Sequence, residues 1–501
     1  MPAIITDQIR VLNASNFVSG IGNANNSYYV FIGLPNATEV ATDWNTSTPD
    51  PVDNFDQHDN IYDTLISAKK INTTDVLRVI KKITWTSGTI YEMYRHDYSV
   101  TNLTPQTSAS NLYNANYYVM NSDFRVYECI YNGGAPSNSG KGIVSLDEPV
   151  HTDLEPRLES DGYLWKYLYT IAPADIVKFT TEKYMPVPPN WGDVNTAAVK
   201  DAAVRGHVET VIIKNRGTGY TAGTTTDIDI LGDGTGGKVS ITVTDQEVSA
   251  IEVTDGGKDY TKGLINFTGA GGSGAEFEVI IPPKGGHGAD IYRELGTYRV
   301  MVYSKYDASS DFISQNNFSR IGIVRNPTEY GSSTAILNTS TATNLGALKL
   351  TPTGIGVTSG IIYPVNAEIR QTVGAGQTAV GYVASFNQNT GVLRYYQPVG
   401  LSTIANNAFK QFDFAGIAAP ITCTDAVFNS GSQSILQPDI TFAGSSINIG
   451  GKIIALGQSF TTGKANPDVE KYSGDIIYID NRAPITRSSS QKEEVKIVVE
   501  F

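Results

Sequence analysis

The sequence predicts a mainly β, multi-domain chain. It has a minor α+β part at the N-terminus and β-rich insertions that interrupt a discontinuous core. Three observations carry this reading. The composition combines 48 Gly and 28 Tyr in 501 residues with a charged share of 17%, below the roughly 25% of an average soluble domain. Glycine supplies the positive φ of tight turns, and tyrosine suits half-buried pleated surfaces, so the mixture fits short strands joined by many turns. Strand-length apolar or alternating runs recur, broken by Gly, Asn, Thr and Pro. One segment is also duplicated at an offset of 40 residues. The length implies about three domains, because single cores stop growing at about 250 to 300 residues.

Residues 1–205 form the α+β part. NNSYYVFIGLP (25–35) reads as a strand ending at a turn, with Tyr29 and Phe31 in partial alternation. Residues 36–58, rich in Asn, Thr, Pro and Asp, read as a long loop. Tyr62, Leu65 and Ile66 lie at i, i+3 and i+4, which predicts a helix over 61–70 capped by Asp59 or Asn60. DVLRVIKKITW (75–85) fits a helix or a strand. YYVMNSDFRVYECIYNGG (117–134) is more clearly a strand. Phe124, Val126 and Glu128 fall on one face, and Arg125, Tyr127 and Cys129 on the other. Apolar residues on both faces predict cover on both sides. DGYLWKYLYTI (161–171) is an aromatic block after a turn-like Asp-Gly pair. MPVPPNW (185–191) reads as a stiff connector, because proline fixes φ and removes a donor.

The duplication defines an insertion at 206–289. VIIKNRGTGYTAG (211–223) aligns with IEVTDGGKDYTKG (251–263), matching Gly217 to Gly257, Tyr220 to Tyr260 and Gly223 to Gly263. Each copy runs on through a glycine-rich turn, at 230–243 and 266–281. The unit predicts a small duplicated β-domain or a two-unit solenoid. PPKGGHG (282–288) reads as its exit linker. Core strands follow over 290–327, in GTYRVMVYSKYD and FSRIGIVRNP. Residues 328–469 form a second β-rich insertion, with a hairpin expected around NTG in 380–399. Its polar loops fit a binding surface or plain cover. Residues 470–501 supply two C-terminal core strands.

Charge and motifs exclude several functions. A net charge of -13 and a pI near 4.9 repel phosphate backbones, so no nucleic-acid partner is expected. MPAIITDQIR is not a signal peptide, and no apolar run is long enough for membrane insertion. Cys129 and Cys423 are expected as free thiols. GDGTGG (232–237) lacks the GK[ST] ending of a phosphate loop and precedes a strand, so it reads as a tight turn. The acidic sets Asp227/Asp229/Asp233 and Asp53/Asp56/Asp59/Asp63 lack calcium-loop spacing and read as solvated loops. His58, His96, His151, His207 and His287 show no metal-ligand spacing. His96-Asp97 and His151/Asp153 are weak acid–base candidates, and a lone hydrogen-bonding histidine is the preferred reading of each. No catalytic residue, metal or cofactor is therefore assigned.

Four blocks carry a family resemblance. They are VYECI (126–130), DGYLWKYLYTIAP (161–173) with Gly162, Tyr163 and Trp165, FSRIGIVRNP (318–327) ending in Asn326-Pro327, and SGDIIYIDNRAPITRSSSQKEEVKIVVEF (473–501) with a corner at Asn481-Arg482-Ala483-Pro484. Together and in this order they resemble the dimeric baseplate wedge protein of T4-like contractile-tailed bacteriophages. The resemblance covers residues 1–205, 290–327 and 470–501, roughly half the chain, and neither insertion. It implies a non-enzymatic structural subunit of the virion tail baseplate, assembled in the host cytoplasm. Its implied partners are a second copy of itself, other baseplate wedge proteins, and short tail fibre or fibre-connecting proteins. Tyr163, Trp165, Tyr167, Asn326, Pro327, Arg482 and Pro484 become candidate interface or structural anchors. Core packing is favoured for Trp165, and a local hydrogen bond for Arg482. Two alternatives stay open. One is a host-receptor or glycan-binding tail module, motivated by the aromatic and polar loops of the insertions. The other is a tail-associated glycan hydrolase using two of the 50 acidic residues.

Overall fold

The computed structural model of the protein describes residues 4–35, 43–268, 271–307, 317–352, 360–374, 376–398, 411–412, 419–428, 436–486 and 491–501. Residues 36–42 of the expected first loop, 269–270 of the second glycine turn, 487–490 of the C-terminal block and several stretches of the second insertion lie outside the described residues. The fold is mainly β, with antiparallel sheets and a few short helices, as the composition and patterning predict. The chain divides into two compact units. The first comprises Met1–Val18, Val76–Met301 and Ile497–Phe501, and the second Ser19–Asp75 and Val302–Lys496. Residues 1–205 thus contribute to both. Among the described residues, no helix is long and apolar enough to cross a membrane.

In the first unit, a four-stranded sheet runs in the order Tyr118–Met120, Arg125–Tyr131, Leu164–Thr170, Arg157–Leu158. Val126 through Ile130 are all buried, so this strand is covered on both faces, as its two apolar faces predict. The stretch expected as one strand over 117–134 is instead two antiparallel strands, Tyr118–Met120 and Arg125–Tyr131, and Phe124, at a left-handed φ of 58°, lies in the turn between them. Around the sheet packs an aromatic core containing Tyr91, Tyr117, Tyr127, Tyr163, Trp165 and Tyr169. The ambiguous stretch after Asp75 is a strand, Val76–Lys81. It pairs with Tyr184–Pro186, so MPVPPNW begins as an edge strand, not as a pure connector. An edge tolerates Pro186 because the missing N–H removes no bond from the ladder. The helix Asp7–Gly22 was not expected from the apolar pattern. Its buried Val11 and Ala14 stand among Asn, Ser and Gly, which leaves too thin a stripe to read.

The 206–289 insertion forms a small β-domain whose two copies exchange partners. Val211–Thr218 pairs with Ser273–Val279, the strand after the second glycine turn. Glu247–Asp255 pairs with Lys238–Thr244, the strand after the first. The matched tyrosines do the same. Tyr260 donates to Ile230 O (2.9 Å) and accepts from Gly237 N (3.1 Å), while Tyr220 accepts from Ala275 N (3.2 Å). Each ring thus fills the turn of the other copy, and both are buried. Gly217 and Gly257 reach φ of 64° and 58°, which lets the two turns form.

In the second unit, a five-stranded sheet has the order Thr341–Ala342, Leu65–Lys70, Tyr28–Gly33, Asn317–Arg325, Asp475–Thr486. Tyr28–Gly33 is buried throughout, as suits a central strand. The helix expected over 61–70 is displaced. It spans Phe55–Asp63, is capped by the Asn54 side chain on Gln57 N, and gives way to the strand Leu65–Lys70. The i, i+3, i+4 pattern straddled the end of one element and the start of the next, which both bury apolar residues. The loop expected over 36–58 likewise ends in helix. The second insertion contains the expected hairpin. Gln377–Asn387 pairs with Val392–Tyr396, closed with Asn387 opposite Val392. A Gly450-Gly451 turn with φ of 60° and 84° joins Gly444–Ile449 to Lys452–Phe460.

Candidate functional site

One fully buried cluster of titratable side chains in the first unit was not visible in the sequence. Glu128 lies in the Arg125–Tyr131 strand, and alternation carries it inward on the face of Val126. His287 comes from the glycine-rich PPKGGHG segment. Gly285, Gly286 and Gly288 adopt φ of 100°, 97° and 87° there, conformations that L side chains avoid. A Cβ on Gly286 would lie 2.3 Å from Val204 O, so that residue must be glycine for the segment to seat. Glu294 closes the short helix Ile291–Glu294, which Asp290 caps through Tyr292 N and Arg293 N.

These three elements converge on one point. His287 Nδ1 lies 2.8 Å from Glu128 Oε2 and 2.9 Å from Glu294 Oε1. Gly288 N donates to Glu294 Oε2 at 2.8 Å, and Tyr117 OH donates to Glu294 O at 2.6 Å. The Tyr94 ring meets the imidazole edge-on, with centroids 4.7 Å apart. All three side chains are buried, and Glu128 Oε1 is buried without a hydrogen-bond partner. Burial and the neighbouring Glu294 carboxylate push the Glu128 carboxyl above the usual carboxylate range, although His287 opposes them. Burial would lower the His287 pKa, but the two carboxylates outweigh it and raise it. Burial opposes ionisation of Glu294, yet its bonds to His287 hold its pKa down.

Of the other sequence candidates, His207 lies in a partly exposed group with Glu155 and Glu209, whose ligand atoms are within 4.8 Å of one another, and the rest stand apart. His96 Nδ1 accepts from Ile281 N at 3.2 Å, and its neighbour Asp97 is taken by Arg95. His151 Nδ1 and Asp153 are 3.8 Å apart, beyond hydrogen-bond range. GDGTGG closes on the second repeat copy, with Asp233 accepting from Thr261 N and Lys262 N. Asp229 pairs with Lys238, Asp53 with His58, and Asp63 with Lys471.

The predicted anchors are spread over both units. Tyr163 and Trp165 are fully buried and stacked, 5.3 Å between centroids at 11°. Tyr163 OH donates to Ile143 O at 2.6 Å and accepts from Tyr91 N at 3.0 Å. Tyr167 is half-buried, with its hydroxyl 2.8 Å from Thr170 Oγ1. Asn326 adopts a φ of 50° and accepts from Ser27 N, and buried Pro327 accepts from Leu337 N. Arg482 is exposed and bonds Asp480 at 2.7 Å, a local contact. The expected Asn481–Pro484 corner runs inside the strand Asp475–Thr486. A register shift opposite Phe318 and Arg320 absorbs the irregularity, and the sheet edge accommodates Pro484.

The second unit holds a cavity of about 460 Å³ whose lining includes Tyr330, Tyr395, Tyr396, Tyr472, Gln397 and Gln411. The chain matches no protein-family model and no curated protein.

The Arg95 cluster gives a pH-dependent expectation. Arg95 binds Asp97 through two bonds of 2.9 and 2.7 Å, and reaches Glu278 at 2.7 Å. Burial disfavours the Asp97 carboxylate, but Arg95 overrides it and depresses the Asp97 pKa well below the ordinary value. A depressed carboxyl contributes stability above its unfolded pKa and loses that contribution as the pH falls toward its folded value. Asp97→Asn should cost about 2 kcal/mol near neutral pH, allowing for partial solvent screening. In urea denaturation, the gap between variant and wild type should narrow from about pH 7 to about pH 3. An equal gap at both would refute the ion-pair account.

Proposed function

We propose that the protein is a structural subunit of a contractile phage tail baseplate wedge. In this reading it assembles as a homodimer with other wedge proteins and helps transmit baseplate rearrangement during infection. One observation supports it above the others. The four family-like blocks pair as strands, two and two, within their own units. In the first unit, the VYECI strand lies beside the DGYLWKYLYTIAP strand, with Cys129 opposite Trp165 and Tyr127 opposite Tyr167. In the second, the FSRIGIVRNP strand pairs with the C-terminal block from Phe318 opposite Ile485 to Arg325 opposite Asp475. The 206–289 insertion pairs its strands with one another. This pattern fits an ancestral core carrying additions.

The physical properties suit a load-bearing part. Long-range antiparallel pairing around large buried aromatics resists local deformation. Surface apolar residues offer contact area for partners. Ile5, Ile9 and Leu12 fall at i, i+4 and i+7 on the N-terminal segment and helix, and are 67%, 49% and 57% exposed. Such a stripe favours association through shape and apolar burial. The hydrolase alternative gains nothing from Glu128 and Glu294, since both are buried where a glycan cannot reach. A glycan-binding role is favoured by one feature, the tyrosine- and amide-lined cavity of the second unit. Imaging intact particles that carry a labelled subunit separates the two readings, because a wedge part sits in the baseplate and a binding module can sit on a fibre.

A further inference from the structure

We propose that Glu128, His287 and Glu294 form a binding site for one divalent transition-metal ion of the zinc class. The inference stands on geometry within the first unit and is independent of the role in tail assembly. A ligand atom from each residue lies within 4.8 Å of the other two, which is the spacing of donors around one ion. Tetrahedral zinc sites hold nitrogen and oxygen at about 2.0 to 2.2 Å, so neighbouring donors sit about 3.3 Å apart. The observed 2.8 and 2.9 Å contacts need to open by only about half an ångström.

The donor chemistry narrows the ion. One imidazole nitrogen and carboxylate oxygens suit zinc and its first-row neighbours. Calcium and magnesium favour all-oxygen shells, with calcium taking about six to eight ligands. A bound ion displaces the protons shared within the group, leaving a neutral imidazole and two carboxylates whose charge of about -2 the divalent ion offsets inside a buried pocket. The described ion pairs of Glu128 and Glu294 are those with His287.

A second observation concerns the other oxygen of Glu128. Glu128 is fully buried, yet its Oε1 has no hydrogen-bond partner. A buried carboxyl oxygen without a partner keeps its desolvation cost uncompensated. A metal ion bound by both oxygens of Glu128 removes that cost and supplies a fourth donor. Gly288 N holds the second oxygen of Glu294, and the Tyr94 ring packs against the imidazole. The ion would tie the Arg125–Tyr131 strand to the segment leaving the 206–289 insertion, at a point where the sequence separation is 159 residues.

The test uses the full chain, stripped with chelator and then titrated with zinc by calorimetry. We expect one equivalent to bind, and binding to weaken about 100-fold in both Glu128→Gln and His287→Ala. X-ray absorption of the zinc-loaded wild-type protein should show a nitrogen/oxygen shell with a single imidazole. Four results would overturn the proposal: no stoichiometric uptake, affinity unchanged in Glu128→Gln, a sulfur ligand, or more than one imidazole. The absorption measurement needs no variant, so it decides the matter even if a substitution prevents folding. A triad held by a shared proton alone predicts no uptake.

Discussion

Replacing Trp165 with alanine should destabilise the first unit by about 4 kcal/mol, within the range for truncating a buried aromatic. The indole is fully buried in the Leu164–Thr170 strand, stacked on Tyr163 and meeting Tyr91 edge-on at 5.8 Å. Its strand neighbour is Cys129, itself fully buried, so little nearby can move in to fill the void. The loss combines the transfer free energy of the ring with the cavity it leaves. Trp165→Phe should cost far less, about 1 to 2 kcal/mol. Part of the lost packing is offset, because the indole N–H is buried without a partner and phenylalanine has no such group. Urea denaturation followed by circular dichroism reads both. A Trp165→Ala loss below about 1 kcal/mol would mean that the aromatic core is looser than its burial indicates.

Alanine at Gly234 or Gly272 should dislodge the exchanged tyrosines of the duplicated domain, at about 3 kcal/mol each. A Cβ at Gly234 would lie 2.3 Å from Tyr260 Cγ, and one at Gly272 2.3 Å from Tyr220 Cγ. Neither glycine has a positive φ, so the penalty is steric and not conformational. Gly271 is the contrasting neighbour. Its φ is 78°, but nothing stands within 4 Å of its Cβ position. Gly271→Ala should therefore cost only about 1 kcal/mol, the price of a left-handed alanine. Amide hydrogen exchange within 206–281 should report large losses of protection for Gly234→Ala and Gly272→Ala, and a small one for Gly271→Ala. Equal effects at Gly271 and Gly272 would contradict the interlocked arrangement.

The duplicated domain shows what sequence can and cannot disclose. Matching Gly217 to Gly257 and Tyr220 to Tyr260 marked the two equivalent units and their glycine-rich turns, while the burial of both rings emerged only in the fold. The exchange of partners between copies was hidden, because self-similarity marks equivalent residues and says nothing of which copy each one touches. Strand assignment worked where burial was two-sided, as in Tyr28–Gly33, although over 117–134 it missed the turn that separates Tyr118–Met120 from Arg125–Tyr131. It failed where one apolar pattern crossed an element boundary, at Phe55–Asp63 and Leu65–Lys70. The Glu128–His287–Glu294 group lay out of reach for a different reason. Alternation put Glu128 on an inward, apolar face, an available hint, but the histidine is 159 residues away in a segment with no periodic pattern. Only the folded chain brings the two together.

Labelling the subunit in intact particles and imaging the tail tests the central claim most directly. The wedge account predicts label density in the baseplate, repeated with six-fold symmetry and in closely spaced pairs where the homodimer sits. Label confined to a detachable fibre would contradict it and would favour a host-binding module built on the cavity of the second unit.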